Sequence, residues 1–327
     1  MSWGHCCRAQ RANGSPSDEI WWYLGFHVVK PRYPDLSAGT AARVTAPASS
    51  DRLQPAADDP CLADRDEMAR RLAEAARLSG AVLLAMRAAR DVKIKPDGSP
   101  VCSADLAADH TAKSALARLL PGIPVVSEES VGEVAPAPLF ILLDPLDGTR
   151  EFLAGGDSYC VAIALVSGDR PVAGAIAAPA AGRVWFAGEG AFMQCVGSDG
   201  APQGAARAIA VRPLPPSGPT TLVSRFHGDA MSDGVASALG STATLPMSSA
   251  VKFGMIASGE ADLHVRGGQT MEWDIAAGDA ILTAAGGIVL GLDGSLPRYG
   301  CLARGFRNPP FVAASSEALA RRALAAV

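Results

Sequence analysis

The sequence predicts an α+β fold built in layers rather than a doubly wound parallel sheet. Three features carry this expectation. Two helix-period segments come first, a tight series of strand-like runs follows between residues 159 and 195, and strands and helices then mix toward the C-terminus. Segregated helices and strands belong to layered folds, whereas strict β-α alternation would give a parallel sheet with helices on both faces.

Order begins near Asp64. Over residues 65–90 the side chains Met68, Leu72, Ala75, Ala76, Val82, Leu83 and Met86 recur at helical spacing. A polar loop at 93–100 leads to a second helix over 104–120, closed by Pro121-Gly122. Val125-Val126 starts a short strand that runs into Glu128-Glu129. Residues 139–143 are uninterrupted apolar residues, as in a strand buried on both faces, and they end on Asp144. The runs at 159–166, 172–177, 183–186 and 191–195 are closely spaced and punctuated by Gly and Pro, which predicts an antiparallel meander. The Pro- and Gly-rich stretch 201–219 reads as a hinge between an N-terminal α+β domain at 61–205 and a C-terminal α/β domain at 206–327. Beyond it, strands at 222–224 and 263–265 alternate with helices at 249–258 and 274–285, the last stopped by Gly286-Gly287. Residues 1–60 are rich in Pro, Ser, Ala and Asp without a sustained period, and read as a poorly ordered extension.

Hydrophobic residues make up 49% of the chain and charged residues 19%, ample for a core. The net charge of −4 argues against a polymeric nucleic-acid partner. A small anionic substrate stays compatible, because metal ions supply positive charge locally. The cysteines Cys6, Cys7, Cys61, Cys102, Cys160, Cys195 and Cys301 are odd in number and contain no C-x-x-C pair. They read as reduced thiols of a cytoplasmic protein, not as a zinc site or disulfide framework. The apolar run at 20–29 is too short to span a membrane and follows Asp18-Glu19, which predicts neither stable membrane insertion nor a secretory signal.

The chemistry concentrates on Asp144-Pro145-Leu146-Asp147-Gly148-Thr149. An apolar strand delivers one carboxylate, Pro145 removes a ladder donor, and a second carboxylate, a Gly and a hydroxyl follow. Two carboxylates held close need a proton or a cation between them. Magnesium suits, since it takes oxygen ligands and joins substrate phosphates. The D-x-x-D spacing also differs from the D-x-D of phosphatases that use an aspartyl nucleophile. The bland alternative is a strand-end turn, where Asp, Pro and Gly are common. Glu128, in Ser127-Glu128-Glu129-Ser130, and Asp274, in Glu272-Trp273-Asp274, add acidic candidates. Asp274 and Asp105 both lie at helix starts, where a plain N-cap is the competing reading.

Together with Asp97-Gly98-Ser99-Pro100-Val101 and Trp273-Asp274-Ile275-Ala276-Ala277-Gly278, these segments resemble the inositol monophosphatase superfamily over roughly residues 65–315. Within it, Ser224-Arg225-Phe226-His227, Ser248-Ser249-Ala250-Val251-Lys252-Phe253, Arg266 and Gly305-Phe306-Arg307 resemble the bacterial CysQ group of 3'(2'),5'-bisphosphate nucleotidases. The resemblance implies an α-β-α-β-α sandwich and a lithium-sensitive, magnesium-dependent phosphatase with two or three ions. The expected reaction releases the 3'-phosphate of adenosine 3',5'-bisphosphate, giving AMP. It further implies that Glu128, Asp144 and the Leu146 carbonyl hold one ion, and that Asp144, Asp147 and Asp274 hold another. Asp105 and Thr149 would orient and deprotonate water, with Glu128 in the same catalytic set. Gly148 and Thr149 would meet the scissile phosphate. Ser249, Lys252 and Arg266 would take the other phosphate and sugar, with Arg150, His227 and Ser224 lining the pocket, where Glu128, Asp147 and Asp274 also face substrate. The 93–100 loop would cap the site. Some related bacterial enzymes lie peripherally on the inner membrane. This sequence departs from the family pattern at Cys102, where Thr is usual, and at Arg150, where Lys is commoner; Cys102 is expected to be a small buried side chain. An inositol or sugar monophosphatase is the neighbouring alternative, distinguished by the basic set Lys252, Arg266 and Arg225. A non-catalytic metal- or nucleotide-binding module is the alternative of another class.

Overall fold

The computed structural model describes residues 54, 59–88, 91–95, 100–226, 228 and 230–327. The expectations placed on residues 1–53, on Asp97-Gly98-Ser99 and on His227 lie outside these residues. The described residues form one compact unit.

The first layer is α1 (Arg65–Ala85) against a second helix. Asp64 caps α1 by accepting the Glu67 N–H at 2.8 Å, and Asp66 and Glu67 complement the positive helix end. The helix stops at Ala85, short of the expected 90, where Met86 leaves the helical region. A short antiparallel pair, β1 (Lys93–Ile94) and β2 (Pro100–Val101), precedes α2 (Ser103–Leu119).

The first sheet contains β3 (Val125–Ser127), β4 (Leu139–Asp147), β5 (Cys160–Ser167), β6 (Arg170–Ala178), β7 (Arg183–Ala187), β8 (Ala191–Val196) and β9 (Pro202–Ala208), in that spatial order. β3 pairs parallel with β4, and the neighbours from β4 to β9 are antiparallel, as the meander expectation required. Alternation explains why β4 reads as an unbroken apolar run. Leu139, Ile141 and Leu143 join the cluster that includes α1 and α2 residues, while Phe140 and Leu142 join the cluster on the opposite face. Two expectations need correcting here. β4 does not stop before Pro145 but continues to Asp147, because a register shift between Asp144 and Asp147 absorbs the missing N–H. Residues 202–208, inside the stretch read as a hinge, form the exposed edge strand β9. Pro202 is tolerated at its first position.

After β4 comes the short helix α3 (Thr149–Leu153). The second half holds β10 (Thr220–Ser224), α4 (Ala230–Ala238), β11 (Ala243–Met247), α5 (Val251–Ala257), β12 (Leu263–Arg266), β13 (Thr270–Met271), α6 (Glu272–Ala284), β14 (Ile288–Gly291), β15 (Arg307–Asn308), β16 (Phe311–Ala314) and α7 (Glu317–Leu324). A five-stranded sheet runs β11-β10-β12-β16-β14, with β10 parallel to both β11 and β12. α5 and α6 fill the space between the sheets, and α4 and α7 cover the outer face. The layers are therefore α-β-α-β-α. Gly174 on β6 permits a close approach of α6 to the first sheet, since a Cβ there would lie 2.8 Å from the Ala277 carbonyl oxygen.

Candidate active site

The bulged end of β4 aims two carboxylates into one cleft. Asp144 Oδ1 accepts the Leu146 N–H at 3.0 Å, and Asp147 Oδ2 accepts the Ala250 N–H at 2.5 Å. Gly148 then turns the chain with φ 95°, a left-handed conformation that favours glycine. A Cβ there would also stand 3.3 Å from the Ser158 carbonyl. Thr149 opens α3 with its Oγ1 3.1 Å from Asp105 Oδ1 and 3.2 Å from the Leu146 carbonyl.

Neither Asp105 nor Asp274 is an N-cap. Each is the third residue of its helix and reaches back to the amide of the residue before it. Asp274 Oδ2 accepts the Met271 N–H at 2.7 Å. Asp105 Oδ2 accepts both the N–H and the thiol of Cys102, each at 2.9 Å. Cys102 is buried as expected, and burial and the Asp105 carboxylate push its thiol up to about 12.

Glu128 opens the turn after β3. Lys95, from the loop expected to cap the site, places its ammonium 2.8 Å from Glu128 Oε1 and 2.8 Å from Glu129 Oε1. Burial alone would depress this ammonium, yet the two carboxylates hold it above its usual value. Lys113 and Asp109 brace the same turn: Lys113 Nζ donates to Asp109 and to Ser130 Oγ, each at 2.7 Å, and Ser127 Oγ also donates to Asp109.

Burial is the leading cause that raises the proton affinity of Asp105, Asp144, Asp147 and Asp274. Asp144 is held well above the carboxylate range by burial and by Glu128, Asp147 and Asp274. Asp274 is raised likewise, with Asp147 and Glu128 as neighbours. Asp147 is pushed up to about 6 by burial, against the pull of Lys252. Asp105 is raised by burial too. Among the described residues, no three acidic, histidine or cysteine side chains stand in ready-made metal geometry. Asp144, Asp147 and Asp274 each accept a backbone amide, and Glu128 meets Lys95.

The carboxylates line a cleft of about 250 Å3. Its opposite wall is made by the carboxyl ends of the parallel strands, the usual ligand position in such sheets. β10 ends on Ser224, β11 leads to Ser248 and Ser249, and β12 ends on Arg266. Arg266 Nη1 donates to Ser224 Oγ at 2.8 Å. Ser249 has φ 61°, a strained conformation for a residue other than glycine. Lys252 is buried, with its ammonium turned onto the Ser249 carbonyl at 2.7 Å and the Met247 carbonyl at 3.3 Å, and burial lowers it to about 8. Arg150 also lines the cleft. Arg225 reads differently than expected: Nη1 donates to buried Glu151 Oε1 at 2.7 Å, and Ser248 Oγ donates to Glu151 Oε2 at 2.9 Å. Lys95 and Glu151 are therefore site residues that sequence reasoning passed over. Lys95 lay in the loop read as a lid, and Glu151 lay inside the central motif without a role.

Comparison with known proteins bears on this geometry. Residues 64–327 match the inositol monophosphatase family model. The chain is 37% identical over 226 residues to the 3'(2'),5'-bisphosphate nucleotidase CysQ of Escherichia coli K12, covering 66% of this chain and 88% of that protein. The crystal structure of CysQ from Bacteroides thetaiotaomicron, a bacterial member of the inositol monophosphatase family, superposes with TM-score 0.63 at 30% identity, over 76% of this chain and 98% of that one. The Thermotoga maritima IMPase TM1415 shares the fold, with TM-score 0.62 at 19% identity, over 78% and 95% of the two chains. Among the described residues no helix is long and apolar enough to cross a membrane.

Proposed function

This chain belongs to the inositol monophosphatase family, and on that premise we propose that it is a magnesium-dependent 3'(2'),5'-bisphosphate nucleotidase. Its reaction removes the 3'-phosphate of adenosine 3',5'-bisphosphate and leaves AMP. The observation that carries this reading is a single cleft lined by Asp144, Asp147 and Asp274 and also by Lys252 and Arg266. A second substrate phosphate needs cationic partners that an uncharged polyol does not.

The donor set fits a hard divalent cation, because every donor is a carboxylate or carbonyl oxygen and the acids are mutually strained. In this reading Glu128, Asp144 and the Leu146 carbonyl would hold one ion, and Asp144, Asp147 and Asp274 a second. A bound ion would neutralise the acids and polarise water and phosphate oxygens. The rest falls to the chain itself. Water gives its proton toward Thr149 Oγ1, whose hydroxyl proton moves to Asp105 Oδ1 at 3.1 Å. The raised proton affinity of Asp105 suits it to this role. The N–H groups of Gly148 and Thr149 orient the scissile phosphate. Arg266, Ser249 and Arg150 hold the remaining phosphate and sugar. Lys252 supplies charge and fixes the 247–249 backbone. The free thiols at Cys61, Cys102, Cys160, Cys195 and Cys301 accord with work in a reducing compartment, the cytoplasm.

Phosphate release with magnesium tests this directly. Adenosine 3',5'-bisphosphate should be the preferred substrate over inositol 1-phosphate and fructose 1,6-bisphosphate, with release lowered by lithium. Faster release from inositol 1-phosphate would replace the nucleotide reading with a polyol one. No release from any of the three would leave only a binding module.

A further inference from the structure

The aromatic residues lining the cleft are not equivalent. Phe253 and Phe311 are each 2% exposed and belong to the core beneath it. Phe226 is 42% exposed and lines the same cleft. It follows directly on Ser224 and Arg225 at the carboxyl end of β10.

Its chain neighbour Arg225 is held through both its backbone and its side chain. The Arg225 N–H donates to the Met247 carbonyl at 3.3 Å. The Arg225 guanidinium is committed to Glu151 at 2.7 Å and to the Pro246 carbonyl at 3.4 Å. Glu151 is itself 1% exposed and bound by Ser248. This network ties the motif helix α3, the β10 end and the β11–α5 connection together. The anchored Arg225 therefore serves the wall rather than a substrate phosphate. What the wall then offers to a ligand at this point is a planar apolar ring.

We propose that Phe226 is a specificity-determining residue that stacks on the planar base of a nucleotide, with the Glu151–Arg225 pair as its positioning support. The inference rests on the nucleotidase reading and deepens it. A polyol phosphate presents no flat face to such a ring, whereas each nucleobase does. Stacking is also sequence-tolerant, so the residue selects for the presence of a base more than for its identity. Burying an exposed ring against a base adds apolar area to a cleft otherwise dominated by charge.

The test is equilibrium binding to the full chain with magnesium, comparing AMP with ribose 5-phosphate, which keeps the phosphate and lacks the base. The wild type should bind AMP roughly tenfold more tightly or better, in line with base–aromatic stacking. Phe226→Ala should erase most of that preference without weakening ribose 5-phosphate, and Phe226→Trp should keep it. If the wild type shows no preference, or Phe226→Ala weakens both ligands equally, the stacking role is overturned while hydrolysis of adenosine 3',5'-bisphosphate still supports the nucleotidase. If the wild type neither hydrolyses that substrate nor binds AMP, the nucleotidase reading fails and the stacking role fails with it.

Discussion

Asp147 shows how a single residue links site and stability. Its carboxyl moves from 3.8 to about 6 on folding because it is buried among like charges, with Lys252 pulling the other way. A raised acid binds more protons folded than unfolded, so its favourable contribution is present below about pH 4 and is lost as pH rises through about 6. Asp144 and Asp274 are raised for the same reasons and add in the same direction. Lys252, lowered to about 8, acts at higher pH: its burial opposes folding while it is charged, and stability recovers as pH rises from about 8 toward 10.5. In chelator, the melting temperature should therefore be higher at pH 5 than at pH 7.5. Saturating magnesium should remove or reverse that trend, since a ligand of the native state stabilises it. Chelated melts that are level or rise between pH 5 and pH 7.5 would contradict the charge assignment.

At the scale of elements, the site depends on how closely α6 lies on the first sheet, because α6 carries Asp274 and β4 carries Asp144 and Asp147. Gly174→Ala would place a methyl 2.8 Å from the Ala277 carbonyl and 3.0 Å from its Cα. Neither is a flexible side chain, so the helix must shift. The expected loss is about 1–3 kcal/mol of stability by denaturant unfolding, with weakened phosphate release. An unchanged midpoint would mean that the helix moves freely. Elements with a strong local period were legible beforehand: α1, α2, α6 and the meander β5–β8 all stand close to where the pattern put them. Elements whose formation depends on distant partners were not. β9 is exposed along its whole length and carries no hydrophobic alternation. β16 is a four-residue strand recognisable only by its pairing with β12 and β14. The bulge through Pro145 was hidden because a proline in a strand normally argues against the strand.

Across the whole molecule, layering brings together residues far apart in sequence. α2 contributes Asp105, β4 the central acids, the β10–β12 ends the basic wall, and α6 Asp274. The acids were readable from short motifs, because carboxylates at element boundaries are conspicuous. The hydrogen bonds that aim them were not. Lys95 on Glu128 and Glu129, and Arg225 on Glu151, join residues more than thirty positions apart. The most direct test of the central claim is phosphate release from adenosine 3',5'-bisphosphate with magnesium, comparing the wild type with Asp147→Asn. Both proteins are first shown to unfold at similar temperature. Loss of about 100-fold or more in rate is the expected result, since the substitution removes an anionic ligand from a centre that needs charge neutralised. Equal rates would show that these acids do not form the catalytic centre.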